Sequence, residues 1–176
     1  MADIQDIQIR EANEGDRDAI RKLLTEAYGQ YQDVLPPEGW EQYKENIVAS
    51  VDGGEPTARI IALSGGEVMG SSLLFLSSEA AYGLPELGIQ SPIIRLLAVS
   101  PKARGRGIAT ALIKESARRA IELGAATLHL HTSDMMESAI KLYERLGFER
   151  AYDKDIQKGE ILVKSYRLQL QAAAIL

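Results

Sequence analysis

The residues with the clearest potential for chemistry form a glycine-rich segment, Arg104-Gly105-Arg106-Gly107-Ile108-Ala109-Thr110. An apolar run precedes this segment, and a helical pattern begins at its second glycine. The first amides of a helix have no acceptor within the helix, and the helix dipole adds partial positive charge there. Glycines let an anion approach that backbone, and the arginines add mobile cations. The segment therefore predicts a site for a phosphate-bearing ligand, with Lys102 as a third nearby cation.

The spacing of this segment excludes two other nucleotide motifs. A P-loop requires Gly-Lys-Ser/Thr after four intervening residues, and a dinucleotide fingerprint requires a third glycine. Neither pattern is present. Since an isolated glycine pair is most often a plain surface turn, the neighbouring segments must decide between turn and ligand site.

The elements around this segment predict a mixed α/β chain. Apolar alternation and apolar stripes distinguish strands from helices. Strands are expected at 7–11, 58–63, 68–77, 93–99, 126–132, 148–154 and 160–170, and helices at 15–28, 38–50, 107–123 and 134–146. Gly65-Gly66-Glu67 predicts a hairpin turn, Gly124 predicts a left-handed helix cap, and 78–92 is expected to be a loop. No repeat or linker is visible, so we expect one domain over residues 1–176.

Composition limits the functional classes. The chain has no cysteine, which removes disulfides, thiolate metal sites and cysteine nucleophiles. Its 20 Lys and Arg against 25 Asp and Glu give a net charge of −5, which argues against nucleic acid as a partner. No apolar run approaches the ~20 residues of a membrane span, and the N-terminus lacks a signal sequence. We expect a cytoplasmic protein that binds neither nucleic acid nor membrane.

Three segments between residues 93 and 150 resemble the GNAT superfamily of acetyl-CoA-dependent N-acetyltransferases. Arg104-x-x-Gly107-x-Ala109 matches its signature Gln/Arg-x-x-Gly-x-Gly/Ala. Upstream, 97–101 looks like its fourth strand, and downstream Ala139-x-x-Leu142-Tyr143-x-x-x-Gly147-Phe148 is similar to its second hallmark segment. The matches follow the order and spacing of the family, and their combination is far more specific than any one of them.

The resemblance implies a fold, a reaction and a cosubstrate. The fold would be a mixed, mostly antiparallel sheet flanked by about four helices, with a splayed central pair of parallel strands. The reaction would be direct acetyl transfer from acetyl-CoA to a primary amine, without a covalent enzyme intermediate and without a metal. Coenzyme A would contact Leu97, Ala98 and Val99 of the fourth strand, residues 104–110 and Met136. The family often has Asn where Met136 stands, which implies altered contacts at the thioester end.

Two residues are implied as proton carriers. Tyr143 lies where the family commonly places the general acid, and a tyrosine carries its proton at neutral pH. His131 lies where some members carry a Glu base, and histidines titrate near neutral pH. Tyr143 also falls on an apolar helix stripe, so a packing role is the alternative. His129, on the same strand face, competes with His131 for the role of base, and Glu79 and Glu86 are reserves.

The acceptor is not readable from the sequence. The family takes its specificity mainly from the first two helices, and here that region includes Tyr28, Tyr31 and Trp40. These aromatic residues are candidates for the acceptor site, with an ordinary amphipathic helix pair as the alternative. A small-molecule amine is the first expectation, a protein N-terminus or lysine the second, and a non-catalytic acyl-CoA-binding module the third. A homodimer remains open.

Overall fold

The structure of the protein is a computed structural model. It describes residues 7–29, 37–52, 56–132, 137–158 and 161–172. Strands within these ranges are β1 (Ile7–Glu11), β2 (Ala58–Ser64), β3 (Glu67–Phe75), β4 (Ile93–Val99), β5 (Thr127–Thr132), β6 (Glu149–Arg150), β7 (Ile156–Lys158) and β8 (Ile161–Gln169). Helices are α1 (Arg17–Tyr28), α2 (Pro37–Asp52), α3 (Ser78–Tyr82), α4 (Ile108–Glu122) and α5 (Glu137–Arg145).

Backbone hydrogen bonds connect the strands in the order β1-β2-β3-β4-β5-β8-β6, and β7 pairs with β8. The pairs of β1 with β2, β5 with β8 and β6 with β8 are antiparallel, whereas β4 and β5 are parallel. Ile93 is opposite His129, and Ile94 is opposite Leu130. The predicted mixed, mostly antiparallel sheet with a central parallel pair is confirmed.

The chain forms two compact units. Unit 1 comprises Met1–Leu73 and Leu96–Glu115, and unit 2 comprises Leu74–Arg95 and Ser116–Leu176. The elements β3, β4 and α4 each pass from one unit to the other along the chain. The single domain over residues 1–176 stays a prediction.

The most deeply buried large side chains of unit 1 are aliphatic. They include Leu24, Ile60, Ile61, Leu112 and Ile113, each almost fully buried. The hairpin from β2 to β3 turns at Gly65 and Gly66, both of which have positive φ (59° and 80°). Two such residues make the tight turn whose twist matches the strands, as the sequence predicted.

The core of unit 2 contains Leu74, Ile93, Leu128, Tyr166 and Leu168. As predicted, Gly124 ends α4 in the left-handed region, with a φ of 83°. The start of the helix expected at 134–146 lies outside the described residues, which resume at 137.

Two predictions of local structure were wrong, both in unit 2. The expected loop at 78–92 contains α3, whose N-cap is Ser77 and whose C-cap is the left-handed Gly83. The expected strand at 148–154 is limited to β6, because a 3-10 turn at Tyr152–Lys154 follows it. A second short strand, β7, then pairs with β8.

Candidate active site

The glycine-rich segment of unit 1 leaves the start of α4 open. After a 3-10 turn at Pro101–Ala103, Gly105 and Gly107 take positive φ values of 78° and 79°. The carbonyl of Gly107 accepts the amide of Ala111 at 3.0 Å, so Gly107 is the N-cap of α4. A Cβ placed on either glycine would meet no atom within 4 Å. The backbone at both glycines, just before the first turn of α4, therefore borders open space that a phosphate can enter.

The cations of this segment have different partners. Arg106 donates from one terminal nitrogen to the hydroxyl of Ser64 at 2.8 Å. Its Nε is buried and makes no hydrogen bond within the described residues. Lys102 is paired with Glu67 at 2.8 Å, with both side chains exposed. That hydrogen bond raises the pKa of Lys102 and lowers the pKa of Glu67.

The cations of the segment differ in exposure. Arg104 and Lys102 are exposed, whereas Arg106 is half-buried and has a buried Nε without a hydrogen-bond partner among the described residues. The predicted cluster of three cations at a phosphate site stays a prediction.

A glycine that the sequence analysis did not single out positions α4. A Cβ on Gly70 of β3 would lie 2.6 Å from Cγ2 of Ile108 and 3.0 Å from Cδ1 of Leu112. Only a residue without a side chain allows this approach of strand and helix. The neighbouring Met69 carbonyl accepts the amide of Ser100 at 2.8 Å, which fixes the chain just before the segment. A lone glycine inside a strand pattern is the signal that identifies such a site.

The predicted cofactor strand has a local irregularity. Leu96 has a φ of 52°, which makes it the one non-glycine residue with positive φ in the described part of the chain. The next carbonyl, that of Leu97, accepts a hydrogen bond from the hydroxyl of Tyr28 at 3.1 Å. A left-handed leucine within a strand interrupts the regular pleat. Leu97 and Val99 are half-buried, and Ala98 is buried.

The predicted acceptor residues of unit 1 are largely internal. Tyr28 and Trp40 are 9% and 6% exposed, and Tyr31 lies outside the described residues. The hydroxyl of Tyr28 is directed to the main chain of β4. Both side chains therefore contribute to the packing of unit 1, and a role in acceptor binding stays a prediction.

His131 of unit 2 is held at both ring nitrogens. Its Nε2 lies 3.0 Å from the carbonyl oxygen of Lys154, and its Nδ1 lies 3.0 Å from the hydroxyl of Tyr82. Because a carbonyl only accepts, Nε2 carries the proton, and Nδ1 of the neutral ring accepts from Tyr82. The two rings meet edge to face with centroids 5.0 Å apart. The basic lone pair of His131 is therefore directed at Tyr82.

The partners of His131 were missed by the sequence analysis. Tyr82 lies in the segment predicted as a loop, and Lys154 lies in the segment predicted as a strand. Burial of the Tyr82 hydroxyl raises its pKa well above the ordinary tyrosine value, although the nearby charge of Arg95 opposes the shift. Tyr82 is thus neutral and retains a proton that it can donate to His131.

The turn that carries Lys154 is fixed by an ion pair. The carboxylate of Asp155 accepts hydrogen bonds from both terminal nitrogens of Arg150, at 2.7 and 2.8 Å, and from the amide of Ser165 at 2.8 Å. The hydrogen bonds from Arg150 lower the pKa of Asp155. Since Lys154 precedes this aspartate, the bidentate pair holds the carbonyl that orients His131.

The competing base, His129, is more fully buried than His131. It is 5% exposed, and its Nδ1 has no hydrogen-bond partner within the described ranges. Burial, with a smaller contribution from Arg167, lowers the pKa of His129 to about 4. A ring that stays neutral and enclosed is a packing residue of β5, which leaves His131 as the stronger candidate for the base.

Tyr143, the predicted acid, lies on α5 and is 7% exposed. Its ring packs at tilted angles against Phe148 and Tyr166, with centroids 6.0 and 6.5 Å apart. Its carbonyl accepts the amide of Phe148 at 3.0 Å, which ties the end of α5 to the following segment. Its role as acid stays a prediction, and Met136 lies outside the described residues.

Unit 2 also contains a cavity of about 400 Å³ that the sequence did not indicate. We call it the Arg95 cavity; it is lined by Ala81, Tyr82, Leu84, Arg95, Ile156 and Gln157. One of its walls, Tyr82, is the hydrogen-bond partner of His131. The cavity therefore adjoins the candidate base.

The described ranges also lack two features. No three His, Asp or Glu side chains there lie together as a metal site would require. No helix in those ranges combines the length and apolarity needed to cross a membrane.

Comparison with known proteins identifies the family. Residues 17–148 match the model of the family described as "Acetyltransferase (GNAT) family". The match covers well over half of the chain, so the protein belongs to the GNAT acetyltransferases, a family of acyltransferases.

Individual curated proteins match this chain over shorter segments than the family model does. The mouse (Mus musculus) "Probable N-acetyltransferase family 8 member 5" is 41% identical over 66 residues, which are 38% of this chain and 29% of that protein. The rat (Rattus norvegicus) "N-acetyltransferase family 8 member 2" is 34% identical over 90 residues, 51% of this chain and 38% of that protein. The chain spans well under half of the length of these curated relatives.

A solved structure shares the fold over almost the whole chain. The PaiA N-acetyltransferase of Thermoplasma acidophilum, solved in complex with coenzyme A, has a TM-score of 0.68 and 15% identity. The alignment covers 90% of this chain and 97% of that one. At this identity the likeness shows the fold alone.

Proposed function

We propose that this protein transfers an acetyl group from acetyl-CoA to a primary amine on a small molecule. The observation that carries the proposal is the open backbone before α4, where Gly105 and Gly107 have positive φ and where Arg106 has a buried Nε without a partner among the described residues. This arrangement meets the needs of a pyrophosphate, and it falls on the family's signature motif. Residues 104–110 and the main chain of 97–99 would bind coenzyme A.

The reaction forms a C–N bond and breaks a C–S bond, and it moves two protons. The ammonium group of the acceptor must lose one proton before it attacks and a second one as the tetrahedral intermediate collapses to the amide, and the thiolate must gain one proton as it leaves. For the first transfer, we propose that the Tyr82 hydroxyl accepts the amine proton while donating its own to Nδ1 of His131. For the last transfer, we propose that the hydroxyl of Tyr143 protonates the thiolate.

Several parts of the proposal are the predictions made from the sequence, kept without change. Met136, Tyr28, Tyr31 and Trp40 remain candidates for ligand contacts. One domain over 1–176, a cytoplasmic location and a homodimer are further hypotheses. The size of the Arg95 cavity supports a small acceptor over a protein, because pockets for small ligands begin at about 300 Å³.

The direct test is release of free thiol from acetyl-CoA in the presence of amine and peptide libraries. We expect steady release with one class of small amines. Release only with peptides would indicate a protein acetyltransferase instead. Tight binding of acetyl-CoA without release for any acceptor would indicate a non-catalytic binding module.

A further inference from the structure

The wall of the Arg95 cavity contains a guanidinium without a carboxylate partner in the described part of the chain. Arg95 is half-buried and donates one hydrogen bond, at 3.0 Å, to the carbonyl of Ala81. Its guanidinium carbon lies 5.1 Å from the centroid of the Tyr82 ring. No acidic side chain among the described residues forms an ion pair with it.

An arginine in this position has unused binding capacity. A guanidinium has five N–H donors, and a single carbonyl satisfies only part of them. Partial removal of this cation from water is costly unless an anion compensates. Another cation of unit 2, Lys154, is bonded to the carbonyl of Leu87 and lies 3.9 Å from Asp153, whereas Arg95 lines the cavity itself.

The rest of the cavity wall indicates the remainder of the ligand. Ala81, Leu84 and Ile156 offer apolar surface, and no acidic residue contributes to the lining. The hydroxyl of Tyr82 connects the wall to Nδ1 of His131 at 3.0 Å. The cavity thus offers a site for an anion, a surface for an apolar group and a route for a proton.

We infer that the acceptor is an amine that also carries a carboxylate, namely an amino acid with an apolar side chain or a conjugate of one. The carboxylate pairs with the planar fork of Arg95, which matches its two oxygens. The apolar side chain lies against Leu84 and Ile156, and the amine approaches Tyr82. This inference rests on the proposed function, because it names the substrate class of the same reaction.

Binding of the acetylated products tests the inference without an activity assay. N-acetyl-leucine and N-acetyl-leucinamide differ in the carboxylate and have no titrating amine. By calorimetry at saturating coenzyme A, we expect the acid to bind about 10- to 100-fold more tightly than the amide, as for a hydrogen bond to a charged group. Arg95→Gln should abolish this preference, and Arg95→Lys should retain part of it.

Arg118→Gln is the matched control, since Arg118 is an exposed residue paired with Glu122 and takes no part in the cavity. It should bind both products as the parent does. Equal affinity of the parent for acid and amide, or no binding of either, would overturn the inference, as would an unchanged preference in Arg95→Gln. If Arg95→Gln does not fold, as judged by circular dichroism, the preference of the parent and of Arg95→Lys for the acid over the amide still tests the inference.

Thiol release separates this inference from the proposed function. With leucine and leucinamide as acceptors, the ratio of kcat/KM between the two should fall about 10-fold or more in Arg95→Gln relative to the parent. Comparing this ratio between the parent and the variant cancels the difference in amine basicity between leucine and leucinamide. Acetylation of neutral amines with no dependence on Arg95 would defeat the inference alone, whereas no acetylation of any amine would defeat the proposed function.

Discussion

At the residue scale, the hydrogen bonds of His131 define how it can act. The carbonyl of Lys154 fixes the proton on Nε2, and Tyr82 covers the lone pair of Nδ1. A base that is capped in this way receives a proton only through the hydroxyl that caps it. Tyr82 is therefore as necessary to the proposed route as the histidine itself.

We predict that His131→Ala flattens the acidic limb of the pH profile of kcat/KM. Activity should recover at high pH, where the amine is already neutral and needs no base. Tyr82→Phe keeps the ring but removes the hydroxyl, so it should give the same profile. Tyr152→Phe, at a tyrosine that is 74% exposed, is the control and should behave as the parent.

Two outcomes would contradict this route. A parental acidic limb in His131→Ala removes the histidine from the mechanism. A parental profile in Tyr82→Phe, with loss in His131→Ala, removes the relay and leaves His131 as a base that acts by another path.

We predict that Tyr143→Phe lowers kcat by ~10²- to 10⁴-fold, the usual contribution of a positioned acid. The phenylalanine retains the ring contacts with Phe148 and Tyr166, so the melting temperature and the Kd for coenzyme A should stay close to parental. Tyr166→Phe removes a hydroxyl from the adjacent ring and is the matched control. Equal kcat values for the two variants would assign Tyr143 to packing.

The sequence indicated residue types at this scale better than it indicated their partners. The hallmark motif indicated Tyr143 as a candidate acid. The position of His131 on β5 indicated it as a candidate base. Tyr82 and Lys154 lie 49 and 23 residues from His131 along the chain. No local pattern predicts which distant hydroxyl and carbonyl will meet a given imidazole.

At the scale of elements, the start of α4 depends on its neighbours in unit 1. Gly70 gives α4 its close approach to β3, and Gly107 turns the chain into the first helical turn. The same glycine leaves the backbone uncovered by any side chain. One residue thus both caps the helix and exposes its amides.

We predict that Gly107→Glu weakens coenzyme A binding by more than about tenfold, or ~1.4 kcal/mol, measured by calorimetry. The new side chain would occupy the phosphate path and add a like charge. Gly124→Glu is a closely matched control, because Gly124 has a φ of 83° against 79° for Gly107, and neither has an atom within 4 Å of its Cβ position. Both variants bear the same backbone strain.

If the two variants bind coenzyme A equally well, the assignment of the 104–110 segment is wrong. If both lose binding and both melt early, strain at positive φ is the common cause. Only a selective loss in Gly107→Glu supports the phosphate site.

The elements that the sequence misjudged are those too short for a periodic pattern. The helix α3 has five residues, and only Ser77 and Gly83 at its ends mark it as a helix. The turn after β6 depends on the pair of Arg150 with Asp155 and on the amide of Ser165, a tertiary contact. Longer elements such as α1 and α4 were predicted to within two residues, since their stripes extend over several turns.

At the scale of the whole molecule, acid should destabilise the protein in two steps. The pKa of His129 is about 4 in the folded protein and 6.5 without the fold. Between these values the unfolded chain binds a proton that the folded chain does not, so the free energy of unfolding rises with pH. Asp155, whose pKa is lowered, contributes in the same direction at lower pH, once unfolded carboxylates become protonated.

We predict that protonation of His129 in the unfolded chain lowers the free energy of unfolding as pH drops from 6.5 towards 4. The loss is at most about 3 kcal/mol, since each pKa unit corresponds to ~1.4 kcal/mol. His129→Gln should remove this slope and leave the later loss due to carboxylates. Urea titrations at several pH values measure the effect. The same slope in parent and variant would show that His129 does not titrate as its burial implies.

The overall sheet was predictable because three motif segments fix the order of its central elements. The Arg95 cavity was not, because its lining comes from α3 with the nearby Leu84, from β4 and from β7, and both α3 and β7 were absent from the prediction. A cavity arises from segments that are distant in sequence. Composition and periodicity describe one segment at a time.

The discontinuity of the two units also bears on synthesis. Every residue of unit 1 has been polymerised once the ribosome reaches Glu115, whereas unit 2 begins at Leu74 and still requires the chain to Leu176. The nascent chain therefore contains the complete glycine-rich segment well before β5, α5 and the Tyr152–Lys154 turn exist.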